Sequence, residues 1–199
     1  MNAFEVRGLL AELVDENPFA IRAMLKILSV DFTSAVPTLA VTNEARPRLL
    51  INLDFVEQHC RTAEHVKAVL CHEFLHVLLR HTSLQGKLTP ARHLALDAVI
   101  NAIIHRQLGE QYSSLMAAYY SDAPGLMALL RPMTQVEVRR YWDRRRVGFG
   151  VPQWWQVWDG LYQGTVLADD IEQLATDLAK SCGSRLAGSG IRTFDASDI

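Results

Sequence analysis

The stretch that decides the reading of this chain is Val69-Leu70-Cys71-His72-Glu73-Phe74-Leu75-His76-Val77-Leu78-Leu79-Arg80. Apart from His72, Glu73 and His76, every residue from Val69 to Leu79 is apolar or cysteine. A helix built from it is apolar nearly all round and belongs in a core rather than at a surface. Positions four apart lie on one helix face, one turn from each other. The imidazoles of His72 and His76 can therefore reach a single metal ion, with Glu73 beside them to polarise a bound water. Three ionisable side chains on a buried helix need partners, because each unpaired one costs several kcal/mol. A metal ion and its water would be such partners. Cys71 precedes His72 directly, but neighbours on a helix diverge by about 100°, so it is not counted among the ligands.

The next polar residues on an apolar background lie in the segment that follows. Thr89-Pro90 has the form of an N-cap with proline in the first turn. The helix it opens, to about Leu108, is largely apolar and carries a stripe of His93, Asp97, Asn101 and His105, each four after the last. Such a stripe should face other polar groups, and the nearest in sequence are His72, Glu73 and His76. His93, Asp97 and His105 are candidates for a third ligand. Asn101 suits a supporting role, holding a ligand imidazole by its other N–H. His81 lies five residues past His76, about 140° round the helix. It misses the metal face unless the helix unwinds there, and is expected to cap the helix end or bond locally.

Around these two helices the chain reads as mainly helical with a small hairpin, an α+β fold. Residues 3–14 carry apolar side chains at helical spacing, and Asn17-Pro18 starts a second helix to about Leu28. Residues 37–42 and 48–53 resemble short strands joined by the polar loop 43–47, and Arg48 to Leu53 is a candidate edge for an extended peptide. Thr62 is the expected N-cap of a helix over 63–81. Further helices are expected at 112–120, 124–130, 134–146, 152–162 and 167–180. Residues 1–180 are read as one domain, and the Gly/Ser-containing stretch 181–199 as a flexible tail.

Composition narrows the classes. The 199 residues suffice for a sizeable core, and 49% hydrophobic with 21% charged is ordinary for a globular protein. A net charge of -2 implies no polyanion partner. The run from Arg139 to Arg146 mixes base and aromatic as nucleic-acid contacts do, but reads better as a solvated helix face with Tyr141 or Trp142 turned inward. Trp154, Trp155 and Trp158 read as core. The chain shows no apolar run of membrane-spanning length, and its first residues lack the pattern of a signal peptide. Three cysteines without tight spacing, Cys60, Cys71 and Cys182, fit reduced thiols. The expectation is a cytoplasmic protein that binds neither nucleic acid nor membrane.

The segment His72-Glu-Phe-Leu-His-Val-Leu-Leu-Arg-His81, followed by Leu96-Asp97-Ala-Val-Ile-Asn101, resembles zinc metallopeptidases of the gluzincin kind. More narrowly, it is similar to a bacterial family of metallopeptidase-like domains found with von Willebrand factor A-like domains and AAA-type ATPases. The resemblance runs from about Arg48 to Arg106. It implies a compact zincin-like fold and a Zn2+ site of His72, His76 and Asp97, with Asp standing where gluzincins usually carry Glu. The separation of 97 − 76 = 21 residues from second histidine to acidic ligand is similar to theirs. Glu73 would be the catalytic base, acting on a peptide or protein substrate. An oxyanion donor would come from Tyr119, Tyr120, His105 or Tyr141. The alternative is an inactive or structural-metal binding module in an assembly with an ATPase and a von Willebrand-like partner. Retention of Glu73 argues against it, since a structural site needs ligands and no general base.

Overall fold

The computed structural model describes residues 1–81, 89–123, 125–146, 153–166 and 173. The described residues divide into two compact units, the first holding residues 1–81 and the second those from Thr89 onward. The described residues are mainly helical, with one three-stranded sheet. None of their helices is long and apolar enough to cross a membrane. The expected helix at 167–180, apart from residue 173, the tail at 181–199 and Cys182 fall outside the described residues.

The first unit begins with α1 (Ala3–Glu16) and α2 (Pro18–Met24). Asn2 opens α1 with a capping box: its side chain accepts from the Phe4 and Glu5 amides, and Glu5 accepts from the Asn2 amide in return. Asn17 ends α1 and Pro18 starts α2, as the dipeptide suggests, but α2 stops at Met24, short of Leu28. Three strands follow: β1 (Val30–Phe32), β2 (Leu39–Val41) and β3 (Leu49–Ile51). The hairpin is present, with Leu39 opposite Ile51 and Val41 opposite Leu49 in antiparallel register. β1 was not foreseen. It pairs parallel to β3, Val30 with Leu49 and Phe32 with Ile51. β3 is therefore the central strand, hydrogen-bonded on both sides. This corrects the expectation that Arg48–Leu53 offers a free edge to an extended peptide, because its backbone groups already have partners.

Asn52 turns the end of β3 into α3 (Leu53–His59), also unforeseen. Its side-chain oxygen accepts from the amides of Asp54 and Phe55, while its nitrogen donates to the Val36 carbonyl at 2.7 Å. One side chain thus caps a helix and ties down the loop before β2. Next is α4 (Ala63–Leu78), capped by Thr62 as expected. Its buried residues run almost without a break from Val66 to Val77, and it packs on α1, α2 and β2. Lys67 keeps its charge in this setting by reaching Glu16 at 2.9 Å and Glu12 at 3.2 Å on α1.

The second unit is helical. Thr89 caps α5 (Pro90–Leu108) through the Arg92 amide. Gly109, at φ 90° and ψ 178°, a conformation open essentially to glycine alone, ends α5 and begins α6 (Glu110–Tyr119). A 3-10 segment (Gly125–Leu130), α7 (Gln135–Arg146) and α8 (Gln153–Gln163) complete the described part. α5 packs on α6, α8 and the 3-10 segment. Three successive carbonyls at the end of that segment each accept from a side chain: Leu129 from Tyr162 Oη, Leu130 from Asn101 Nδ2 and Arg131 from Trp158 Nε1. The rings of Tyr141, Trp155, Trp158 and Tyr162 form a stacked series with centroids 4.7, 5.0 and 4.8 Å apart. Of the three tryptophans read as core, Trp155 and Trp158 are buried, whereas Trp154 is half-buried with its ring edge to face on Tyr141. Arg139, Arg140, Arg144 and Arg146 are exposed while Tyr141 stacks inward.

Candidate metal centre

His72 and His76 sit one turn apart on α4, 0% and 2% exposed. Their Nε2 atoms converge to 3.1 Å. Two imidazole nitrogens bound tetrahedrally at ~2.0–2.1 Å from one zinc are about 3.3 Å apart, so the observed pair is within a few tenths of an ångström of a ligand pair. Glu73, between them in sequence, is completely buried. On α5, Asp97 and Asn101 are completely buried as well.

The polar stripe on α5 divides its work. His93 places Nε2 3.9 Å from Asp97 Oδ1. Asn101 donates its amide N–H to the Leu130 carbonyl at 2.9 Å, anchoring α5 one turn beyond Asp97. His105 lies with its Nδ1 2.8 Å from Ser113 Oγ and its ring against Tyr162. Burial holds the His105 imidazole below its ordinary pKa, against a smaller opposite pull from Glu110. Of the oxyanion candidates, Tyr141 is stacked on Trp155, and Tyr119 and Tyr120 pack edge to face on each other.

His72, His76 and Asp97 form a buried group in which one ligand atom from each residue lies within 4.8 Å of the others. This group could hold a metal ion. Two imidazole nitrogens and a carboxylate oxygen are a donor set that zinc accepts, and three protein ligands leave a coordination position open. Cys71 is buried but stands outside the group, as the helix spacing implies. Burial pushes both the Cys60 and Cys71 thiols up to about 12, which keeps them protonated.

The feature that sequence reading left half-resolved is His81. α4 ends at Leu78, and Arg80 takes a left-handed conformation with φ 60°. His81 is brought back, 6% exposed, with its Nδ1 3.0 Å from His76 Nδ1. Its partner is thus the histidine ring, the local bond that the spacing allowed once the helix unwinds.

Comparison with family models, with curated proteins and with solved structures gave no match to this chain. The case for function rests on the residues themselves.

Proposed function

We propose that this chain is a zinc-dependent, metallopeptidase-like hydrolase that cleaves peptide bonds. The observation that carries the reading is the convergence of the His72 and His76 Nε2 atoms at 3.1 Å within a buried group that includes Asp97, with the buried carboxyl of Glu73 on the same helix. A purely structural site has no use for that carboxyl. His72 and His76 would hold the ion through Nε2, and Asp97 through a carboxylate oxygen. A zinc ion so held supplies Lewis acidity, lowering the pKa of a coordinated water toward ~7 and polarising a carbonyl.

The remaining chemistry belongs to the protein. Glu73 would accept a proton from a water molecule as the oxygen of that water attacks the carbonyl carbon of the peptide. Glu73 then returns that proton to the amine nitrogen as the C–N bond breaks, leaving a carboxylic acid and a free amine. Burial of Glu73 and both histidines excludes bulk water and strengthens each of these interactions. A fold of the zincin kind and partnership with an AAA-type ATPase and a von Willebrand factor A-like protein belong to the same proposal and rest on the resemblance of residues 72–81 and 96–101; a cytoplasmic setting belongs to it too and rests on the cysteines read as reduced thiols.

The test is Glu73→Gln beside wild type in a screen of peptide substrates. The substitution should retain zinc and lower the cleavage rate by ~10² or more. Equal cleavage by the two proteins, on a substrate that the wild type turns over, would refute the assignment.

A further inference from the structure

The end of α4 holds a device that the proposed chemistry does not itself require. Had the helix continued, His81 would lie about 140° round from His76 and could not meet it. Instead α4 stops at Leu78, and Arg80 adopts φ 60°. A non-glycine residue in that region costs on the order of 1–2 kcal/mol. What the turn achieves is contact between two buried rings: His81 Nδ1 lies 3.0 Å from His76 Nδ1, with centroids 5.1 Å apart at an interplanar angle of 73°. An N–H···N hydrogen bond requires one nitrogen to carry the proton and the other to accept it.

We infer that His81 is a positioning residue, which fixes the tautomer and ring orientation of His76 so that His76 Nε2 is aimed, lone pair outward, at the point where His72 Nε2 also converges. The inference rests on the metal centre proposed above. When His76 Nε2 binds a metal, the ring proton must sit on Nδ1, and His76 Nδ1–H then donates to His81 Nδ1. His81 must accordingly carry its own proton on Nε2. In most metal sites a carboxylate or backbone carbonyl accepts from the ligand imidazole. Here a second neutral imidazole takes that place. It orients the ring without adding a negative charge beside the ion.

Two measurements on the full chain test this. The first is histidine side-chain 15N NMR of the wild type, metal-free and zinc-loaded. The zinc-loaded spectrum should show His76 protonated on Nδ1 and His81 on Nε2, with a scalar coupling across the hydrogen bond between the two Nδ1 nitrogens. The second is zinc affinity by competition with a chromophoric chelator, for wild type, His81→Phe and His81→Gln. His81→Phe keeps a ring but offers no acceptor, and should bind zinc about 10- to 100-fold more weakly. His81→Gln, whose side-chain carbonyl can accept from His76 Nδ1–H, should recover a large part of that loss. Unchanged affinity in His81→Phe, or a zinc-loaded wild type with no coupling between the two Nδ1 nitrogens, overturns the role of His81 while leaving the metal centre intact; His76 protonated on Nε2 in the zinc-loaded protein overturns both. Failure of the wild type to bind zinc overturns both. If His81→Phe does not fold, the wild-type coupling alone decides.

Discussion

Lys67 gives the sharpest test of how α4, the helix that carries His72 and His76, is seated. Its side chain is 9% exposed, yet its ammonium reaches two carboxylates on α1 that are themselves 59% and 54% exposed. Burial alone would depress the Lys67 pKa, but the hydrogen bonds and charges of Glu16 and Glu12 override it, and the net shift is upward. A raised folded-state pKa stabilises fully below the unfolded value of 10.5 and is lost as pH rises through the folded value, so the contribution is complete at neutral pH. Removing one acid leaves the other in place and should cost about 1 kcal/mol, the scale of a half-exposed pair. Removing both, as Glu12→Ala with Glu16→Ala, strands the ammonium. A fully buried orphan charge costs ~3–5 kcal/mol, and access to water from the vacated acid positions should reduce this to about 2–3 kcal/mol. Lys67→Met removes the charge and keeps the aliphatic stem, so it should fall within about 1 kcal/mol of wild type in either direction. Adding Lys67→Met to the double acid variant should restore most of the lost stability. The assay is urea unfolding of the chelator-treated protein followed by far-UV circular dichroism. All four tryptophans lie between residues 142 and 158, so fluorescence would report on the wrong unit. A Lys67→Met variant as unstable as the double acid variant would refute the reasoning, because the acids would then not be serving the lysine.

Asn52→Ala removes a helix cap worth ~1 kcal/mol and leaves the Val36 carbonyl without its donor at a further ~1–3 kcal/mol, so chemical denaturation should show a loss of about 2–4 kcal/mol. Asn52→Asp keeps the cap acceptors but sets a carboxylate against that carbonyl; wild-type stability in this variant would contradict the second half of the account. Glu137 closes a capping box with Thr134 and takes a two-pronged bond from Arg131 at 2.7 and 3.2 Å. The Arg131 hydrogen bond, foremost, holds its carboxyl down to about 2 from 4.5. A depressed folded-state pKa stabilises above the unfolded value and is lost as pH falls through the folded one. The melting-temperature gap between wild type and Glu137→Gln should therefore narrow from pH 4.5 to pH 2, and after solvent screening the contribution is worth about 1 kcal/mol. A gap unchanged over that range would show that the ion pair contributes nothing.

The two helices that bear the candidate ligands were legible because their signals are local. An apolar run broken by three ionisable groups, a stripe at every fourth residue, and Thr62 and Thr89-Pro90 as caps can each be read within a few turns of chain. The hairpin was legible for the same reason. β1 was not: it is three half-buried residues, Val30–Phe32, whose partner is β3 across the intervening β2. Neither alternation nor a turn marks so short a strand, and missing it made β3 look like an edge. α3 is only seven residues long, and its cap, Asn52, sits at the end of a strand. The place of His81 depends on the left-handed conformation of Arg80. Glycine there would have signalled it, whereas arginine does not, so helical geometry alone sends the ring to the wrong side. Asn101 shows the converse: the stripe marked it as a buried polar group, but only the fold shows its amide nitrogen on the Leu130 carbonyl.

The central claim is that His72, His76 and Asp97 together hold one catalytic zinc ion. It is tested most directly by calorimetric titration of zinc into metal-free wild type, His72→Ala, Asp97→Ala and Glu73→Gln. The account predicts one ion per wild-type chain, a strong loss of affinity in His72→Ala and Asp97→Ala, and retention in Glu73→Gln, whose carboxyl is the base and not a ligand. Wild-type affinity in Asp97→Ala, or loss of the ion in Glu73→Gln, would contradict it.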